Sequence, residues 1–314
     1  MVQAPRRSVR ARAAGREGPL LQLVYYGYVA GSRLALALPE RWAYGLAQVA
    51  GGIAARRSRR RGQVAANLGR IVGAPADSER VQRLVVDAYR SYARYWLETF
   101  RLVREGRGFW LERTHSPTAA VLDAALARGK GAVVVVGHLG NWDAAGAWVG
   151  ARGGKLVTVA EVLRPRRLFE FFLRHRAKLG MTIYAAEPGV TARLVEEAEN
   201  GAVVAILGDR DLKGTGLEID FFGEPATFPV GAASVALRAG VPLLVAGVFE
   251  RQLADGRRGW VVEFTDPVEV PGDPGVAELT RAAVARLEAF VARHPEQWHV
   301  FQPFWLADRG PRRT

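Results

Sequence analysis

The chain has no cysteine, two methionines and four lysines, Lys130, Lys155, Lys178 and Lys213. Without thiols there are no disulfides, thiolate zinc sites, chain-ligated iron–sulfur clusters or cysteine nucleophiles. A Gly-x-Ser-x-Gly nucleophile elbow is also missing, and no 20–50-residue repeat appears. Nor is there a clean membrane-spanning run. The apolar stretch over residues 20–38 carries Arg33 and ends at Pro39-Glu40-Arg41, so neither a spanning helix nor a cleavable leader is expected.

What is present is arginine. Lys plus Arg total 44 against 31 acidic residues, a net charge of +13 in 314 residues. Such an excess points to anionic partners: nucleic acid, lipid headgroups or a phosphorylated cosubstrate. Arg6, Arg7, Arg10, Arg12 and Arg16 form a basic arm, expected to be disordered over 1–18. Arg56, Arg57, Arg59, Arg60 and Arg61 close a second apolar stretch. Residues 19–79 therefore read as amphipathic helices lying on a membrane or packing on the domain.

From residue 80 to 308 strand and helix patterns alternate, with a short tail over 309–314. Tyr89, Tyr92, Trp96 and Phe100 recur at helical spacing and predict one aromatic face, with core packing as its expected role. Ser116-Pro117 and Gly129 bracket another helix. Strands are expected over 132–136, 156–160, 182–185, 202–207, 217–222, 242–249 and 260–264. Helices are expected over 142–150, 164–179, 191–199, 230–239 and 276–293. The fold class is thus α/β: a mainly parallel sheet flanked by helices on both faces, behind an N-terminal helical, membrane-associating part.

In such sheets ligands sit beyond the carboxyl ends of the strands. The polar groups placed there are His138 to Asp143, Glu161, and Gly208-Asp209-Arg210-Asp211. His138 ends a β-branched run, and Asp143 follows in the first turn of the next helix. A histidine at a strand end facing a carboxylate reads as a general base with an orienting partner. A capping Asp beside a backbone-satisfied His is the alternative. The Gly140–Asn141 turn offers N–H groups for a developing oxyanion. Arg176 follows Phe169 by seven residues and Phe172 by four, so it shares their apolar face. There it either snorkels to solvent or meets an anion.

Gly137-His138-Leu139-Gly140-Asn141-Trp142-Asp143 resembles the H-x4-[DE] block of the lysophospholipid-type acyltransferase superfamily, in its lipid A acyltransferase-like branch. Glu218-Ile219-Asp220-Phe221-Phe222-Gly223-Glu224-Pro225-Ala226 resembles a second block of that branch. The tail from His294 to Gln302 resembles the form found in actinobacterial phosphatidylinositol mannoside acyltransferases, except that it has Gln297 where an Asp is expected before Trp-His. The resemblance runs from about Gly27 to Asp308.

This resemblance implies transfer of a fatty acyl group, palmitoyl for preference, from acyl-CoA to a mannose hydroxyl of a phosphatidylinositol mannoside. Acyl-CoA would be a cosubstrate, with no cofactor, no metal and no covalent intermediate, and the enzyme peripheral on the cytoplasmic face of the inner membrane. Carried onto this chain, His138 is the base and Asp143 orients it. Glu218 is the second acidic member, with Asp209 its competitor. Glu161 and Arg176 meet headgroup or phosphate, with Asn141 and Arg210 also in the substrate-binding set. A lipid A-like acceptor is the near alternative. Asp209-x-Asp211 also fits a metal-dependent glycosyltransferase, and a non-catalytic lipid-binding module is the farthest reading. Nothing resembles a nucleic-acid-binding motif.

Overall fold

The computed structural model describes residues 18–212 and 214–309. The arginine arm before Gly18, Lys213 and the tail after Arg309 lie outside the described residues. Four helices come first: α1 (Pro19–Ala37), α2 (Glu40–Arg57), α3 (Arg61–Val72) and α4 (Glu79–Arg101). Pro39 separates the first two, and Ser78 caps α4 by accepting from the Val81 N–H. α2 packs along α4, with Gly51 allowing close approach: a Cβ there would lie 2.7 Å from the Arg90 backbone. Among the described residues no helix is long and apolar enough to cross a membrane.

The rest alternates. After α5 (Arg107–Arg113) come β1 (Thr114–His115), α6 (Ala119–Leu126), β2 (Ala132–Val136), α7 (Trp142–Ala151), β3 (Leu156–Ala160), α8 (Arg166–Lys178), β4 (Met181–Ala185), α9 (Val190–Glu199) and β5 (Val203–Leu207). A hairpin of β6 (Leu217–Phe221) and β7 (Glu224–Phe228) leads to α10 (Gly231–Ala239), β8 (Leu243–Gln252), β9 (Arg258–Phe264) and α11 (Val276–Arg293).

The seven-stranded sheet has the order β1-β9-β8-β2-β5-β3-β4. Every neighbouring pair is parallel except β8–β9. β2 is central and entirely buried, and its alternating side chains feed two cores. Val133 and Val135 pack with α3, α4, α9, α10 and α11, while Val134 and Val136 pack with α5, α6 and α7. Each fully buried valine stabilises the fold by roughly 1.5–3 kcal/mol.

One expectation needs correction here. The strand expected over 217–222 is β6, and it pairs only with β7, outside the main sheet. Phe222 and Gly223, with φ of 53° and 78°, make the two-residue turn, the geometry that matches strand twist in tight hairpins. Beyond α11, Trp298 follows a short 3-10 turn and bridges antiparallel to Leu139.

Candidate active site

β2 ends at Val136, and the chain turns through 137–141 into α7. The turn tolerates no side chain at Gly140: its φ is +60°, and a Cβ would lie 2.2 Å from the Val248 carbonyl oxygen. Asn141 caps α7, its Oδ1 accepting from the Ala144 N–H at 3.1 Å, while its Nδ2 donates to Glu98 Oε2 at 2.7 Å. Asn141 is therefore a brace rather than a substrate contact. The Gly140 N–H donates to the Gln297 carbonyl at 2.9 Å, so it is not free to hold an oxyanion as expected.

Parallel register sets the partner of His138. Val136 stands opposite Leu207 of β5, so two residues on, His138 falls beside Asp209. His138 Nδ1 is 2.6 Å from Asp209 Oδ1, and the His138 backbone N–H donates to Oδ2 at 2.7 Å. Trp298 Nε1 donates to the same Oδ2 at 2.9 Å. Burial pushes the fully buried Asp209 carboxyl up, but the His138 charge and these hydrogen bonds outweigh it and hold it below its ordinary value. An ionised Asp209 demands the proton on Nδ1, which leaves the His138 Nε2 lone pair available as a base.

Asp143 does not take that role. Its carboxylate turns to α8, where Arg176 Nε lies 2.7 Å from Oδ1 and Nη2 3.4 Å from Oδ2. A guanidinium fork outcompetes an imidazole for a buried carboxylate, and Asp209 already grips His138. The carboxylate that orients the ring is therefore Asp209, which the sequence set against Glu218 as the second acidic member and not against Asp143. Glu218 is not brought to the site either. It is exposed on β6, because strand alternation in the hairpin turns Phe221, not Glu218, inward.

The His138 and Asp143 side chains open on a cavity of about 1030 Å3, at the upper end of ligand-site sizes. Its mouth carries Glu161, Arg176, Arg210 and Arg60. Its inner part runs between α7 and the sheet, lined by Val134, Val149, Leu156, Met181 and Phe264. Tyr89, Tyr92, Tyr95 and Trp96 of α4 line the cavity too, so the aromatic face expected to be core also forms cavity wall, while Tyr89 and Tyr92 pack on the core as expected. Of the expected site residues, His138, Asp143, Glu161, Arg176 and Arg210 share this cavity, and Asp209 stands directly behind His138.

Two groups escaped sequence reasoning. Glu98 is fully buried and accepts from Tyr44 Oη at 2.9 Å, Arg94 Nε at 2.6 Å, Asn141 Nδ2 at 2.7 Å and Trp260 Nε1 at 3.0 Å. The signal for it was an Arg94–Glu98 pair at i,i+4 inside an aromatic helix. Glu250 accepts from Arg94 Nη1 and from Ser91 Oγ, each at 2.9 Å. Burial pushes its carboxyl up to about 7, against the pull of Arg94. Asp211 accepts from the backbone N–H groups of Gly214 and Gly216 at 2.9 and 2.8 Å. Both carboxylates of the Asp-x-Asp pair are thus engaged within the protein, which disfavours the glycosyltransferase reading.

A mainly parallel α/β sheet thus holds a carboxylate-bound histidine at a strand end, on a cavity lined by charged and apolar residues, an arrangement able to take a proton from a hydroxyl. The chain belongs to the bacterial lipid A biosynthesis acyltransferase family, whose model matches residues 16–307; it is an acyltransferase. A phosphatidylinositol mannoside acyltransferase of Mycobacterium tuberculosis is 37% identical over 257 residues, covering 80% of this chain and 79% of the relative. A protein of the same name from Mycolicibacterium smegmatis is 35% identical over 300 residues, covering 93% and 94%.

Proposed function

We propose that this enzyme transfers a long-chain fatty acyl group, palmitoyl for preference, from acyl-CoA to a mannose hydroxyl of a phosphatidylinositol mannoside. The observation that carries this reading is the His138–Asp209 pair standing where a polar mouth meets an apolar channel. An acyl chain fits the channel, and the reacting carbonyl then lies by His138. A sugar hydroxyl is a poor nucleophile and needs a base within hydrogen-bond reach. His138 Nε2 takes the hydroxyl proton as the oxygen attacks the thioester carbon. The C–S bond breaks, and the imidazolium, stabilised by Asp209, returns the proton to the leaving thiolate. The products are an ester and free CoA, with no covalent enzyme intermediate.

Arg176, held by Asp143, and Arg210 and Glu161 at the mouth supply charge and hydrogen bonds for phosphate and polyol groups. The membrane side is α1 and α2. Leu20, Leu23, Leu34, Trp42, Leu46 and Val49 are exposed there, and Arg56, Arg57 and Arg59 follow. Apolar surface beside arginines suits an anionic bilayer surface. Ala50, Gly51 and Ala54 of α2 line the cavity, so a bound glycolipid enters from the bilayer. This is a peripheral enzyme of the cytoplasmic face of the inner membrane.

The test is mass spectrometry of protein incubated with palmitoyl-CoA and phosphatidylinositol dimannoside, beside His138→Ala. Acylated glycolipid and free CoA from the wild type alone are expected. CoA release without acylated mannoside, but with acylation of a lipid A-like acceptor, supports the alternative that the family description favours. No acyl transfer to any glycolipid by folded protein overturns the reading.

A further inference from the structure

Ser91 of α4 links two groups whose proton states depend on each other through it. Its Oγ lies 2.9 Å from Glu250 Oε1 and 2.9 Å from His299 Nε2. His299 lines the cavity beside the base, its backbone N–H donating to the His138 carbonyl at 2.7 Å. Its other ring nitrogen, Nδ1, is buried and has no hydrogen-bond partner among the described residues. A relay of three side chains thus runs from a carboxyl of β8 to an unpaired nitrogen in the cavity wall. Neither Ser91 nor Glu250 has a part in the mechanism above.

The sense of the relay follows from counting protons. Glu250 Oε2 accepts from Arg94 Nη1 at 2.9 Å, and a guanidinium can only donate. While Glu250 is ionised, Oε1 accepts the single Ser91 proton. Ser91 Oγ must then accept from the ring, so the ring proton sits on Nε2 and Nδ1 is a lone pair. When Glu250 takes up a proton, Oε2 is committed to Arg94, so the proton goes to Oε1 and points at Ser91. Oγ now accepts from the carboxyl and turns its own hydrogen to His299 Nε2, which must be the lone pair. The ring gives up its Nε2 proton and takes one at Nδ1 from the cavity. It stays neutral throughout, and the one proton gained is held by Glu250.

The surroundings bring this change into the neutral range. Glu250 faces Ser91, Arg94 and Glu98 of α4, Arg258 of β9 and, in the tail, the Gln297 side chain, which accepts from the Glu250 N–H. Burial, with the Glu98 charge behind it and Arg94 against it, holds the Glu250 carboxyl up at about 7. His299 faces His138 and Asp209. Burial and the His138 charge push it down to about 3, against Asp209, so the ring does not charge while Glu250 titrates.

We propose that Glu250 and Ser91 are positioning residues that act through His299: ionised Glu250 makes the unpaired Nδ1 a hydrogen-bond acceptor, and protonated Glu250 makes it a donor. The wall beside His138 thereby changes its hydrogen-bond sense with pH. The effect on turnover rests on the acyltransferase reading above, whereas the proton positions do not.

The experiment is 15N NMR of the full chain with labelled histidine, the His299 ring being identified by its contacts with the Tyr92 and Tyr95 rings. Wild type is expected to carry the ring proton on Nε2 at pH 8 and on Nδ1 at pH 5. Glu250→Gln turns its amide oxygen to Arg94 and its NH2 to Ser91, which copies the protonated carboxyl, so it should hold the Nδ1–H form at both pH values. Ser91→Ala should abolish the change with pH, and Ser91→Thr, which keeps the hydroxyl, should retain it. One tautomer at both pH values in the wild type overturns the proposal, as does an Nε2–H ring in folded Glu250→Gln. The wild-type titration decides alone if the variants do not fold. In the acyl-transfer assay at pH 8, kcat/KM of Glu250→Gln should fall about tenfold, because an N–H replaces a lone pair in the wall. An unchanged kcat/KM overturns the positioning role. A wild type that acylates no glycolipid would instead bring down the functional reading and leave the tautomer titration standing.

Discussion

At the residue scale, two aspartates near His138 have separate jobs, and exchange to asparagine separates them. Asp209→Asn removes the charge that fixes the ring tautomer and stabilises the imidazolium. Turnover should fall about 10^3-fold with the fold retained. Asp143→Asn leaves Arg176 without its carboxylate, which should cost about 2 kcal/mol in urea unfolding, discounted because Arg176 is partly exposed. A larger kcat loss in Asp143→Asn than in Asp209→Asn would reverse the assignment. The buried pair His299 and Glu250 predicts a pH signature. Unfolded His299 titrates near 6.5 and folded His299 near 3, so between these values the unfolded chain holds the extra proton and acidification destabilises. Folded Glu250 titrates near 7 and unfolded Glu250 near 4.5, so acidification over that range stabilises. The two oppose each other, and His299→Phe should gain stability from pH 7 to pH 5 relative to wild type, as urea unfolding will measure. The sequence made His138 legible because a β-branched run ends on it. It did not reveal Asp209 as the orienter, because strand order and register, not spacing, bring β5 beside β2. Glu218 misled because a block can match a family while its side chain faces solvent.

At the element scale, α7 roofs the apolar channel, and its closest approach to the strands is at Gly146. A Cβ there would meet Met181 Cε at 2.6 Å and Leu156 Cδ2 at 2.8 Å. Both are ends of flexible side chains, so they can move, but only into the channel. Gly146→Ala should therefore shift donor preference to acyl chains shorter by a few carbons, read as kcat/KM over a series of acyl-CoA lengths. An unshifted profile would place the acyl chain elsewhere. The helices and buried strands of this layer were readable from period and β-branched runs. β6 was readable too, but its hairpin partner β7 was not, because Pro225 sits inside it, and proline demotes a run that otherwise reads as a strand. Glu98 on α4 was equally hidden: its partners Tyr44, Asn141 and Trp260 come from three separate elements. Glu98→Gln should cost about 3 kcal/mol in urea unfolding, since Arg94 loses a fully buried counter-charge.

At the scale of the whole molecule, α2 joins the two features that matter: Trp42, Leu46 and Val49 are exposed on it, and its Ala50, Gly51 and Ala54 line the cavity. Binding to vesicles rich in anionic lipid should exceed binding to zwitterionic vesicles at least tenfold and weaken as salt rises, measured by cosedimentation. Trp42→Ala with Leu46→Ala should lower binding to both kinds. The net charge of +13 points to an anionic partner but not to where on the molecule it would sit, because that depends on how α2 lies along α4, a packing outcome that no local pattern records. The Leu139–Trp298 crossing also has a consequence in time. Trp298 is made 89 residues after the Asp209 it grips, and α1 and α2 are among the earliest elements to emerge in N-to-C synthesis. A chain that stalls before Trp298 has built the whole parallel sheet yet still lacks the indole that completes the Asp209 shell behind His138, so the last part of this site to be made is one that no strand of the sheet supplies.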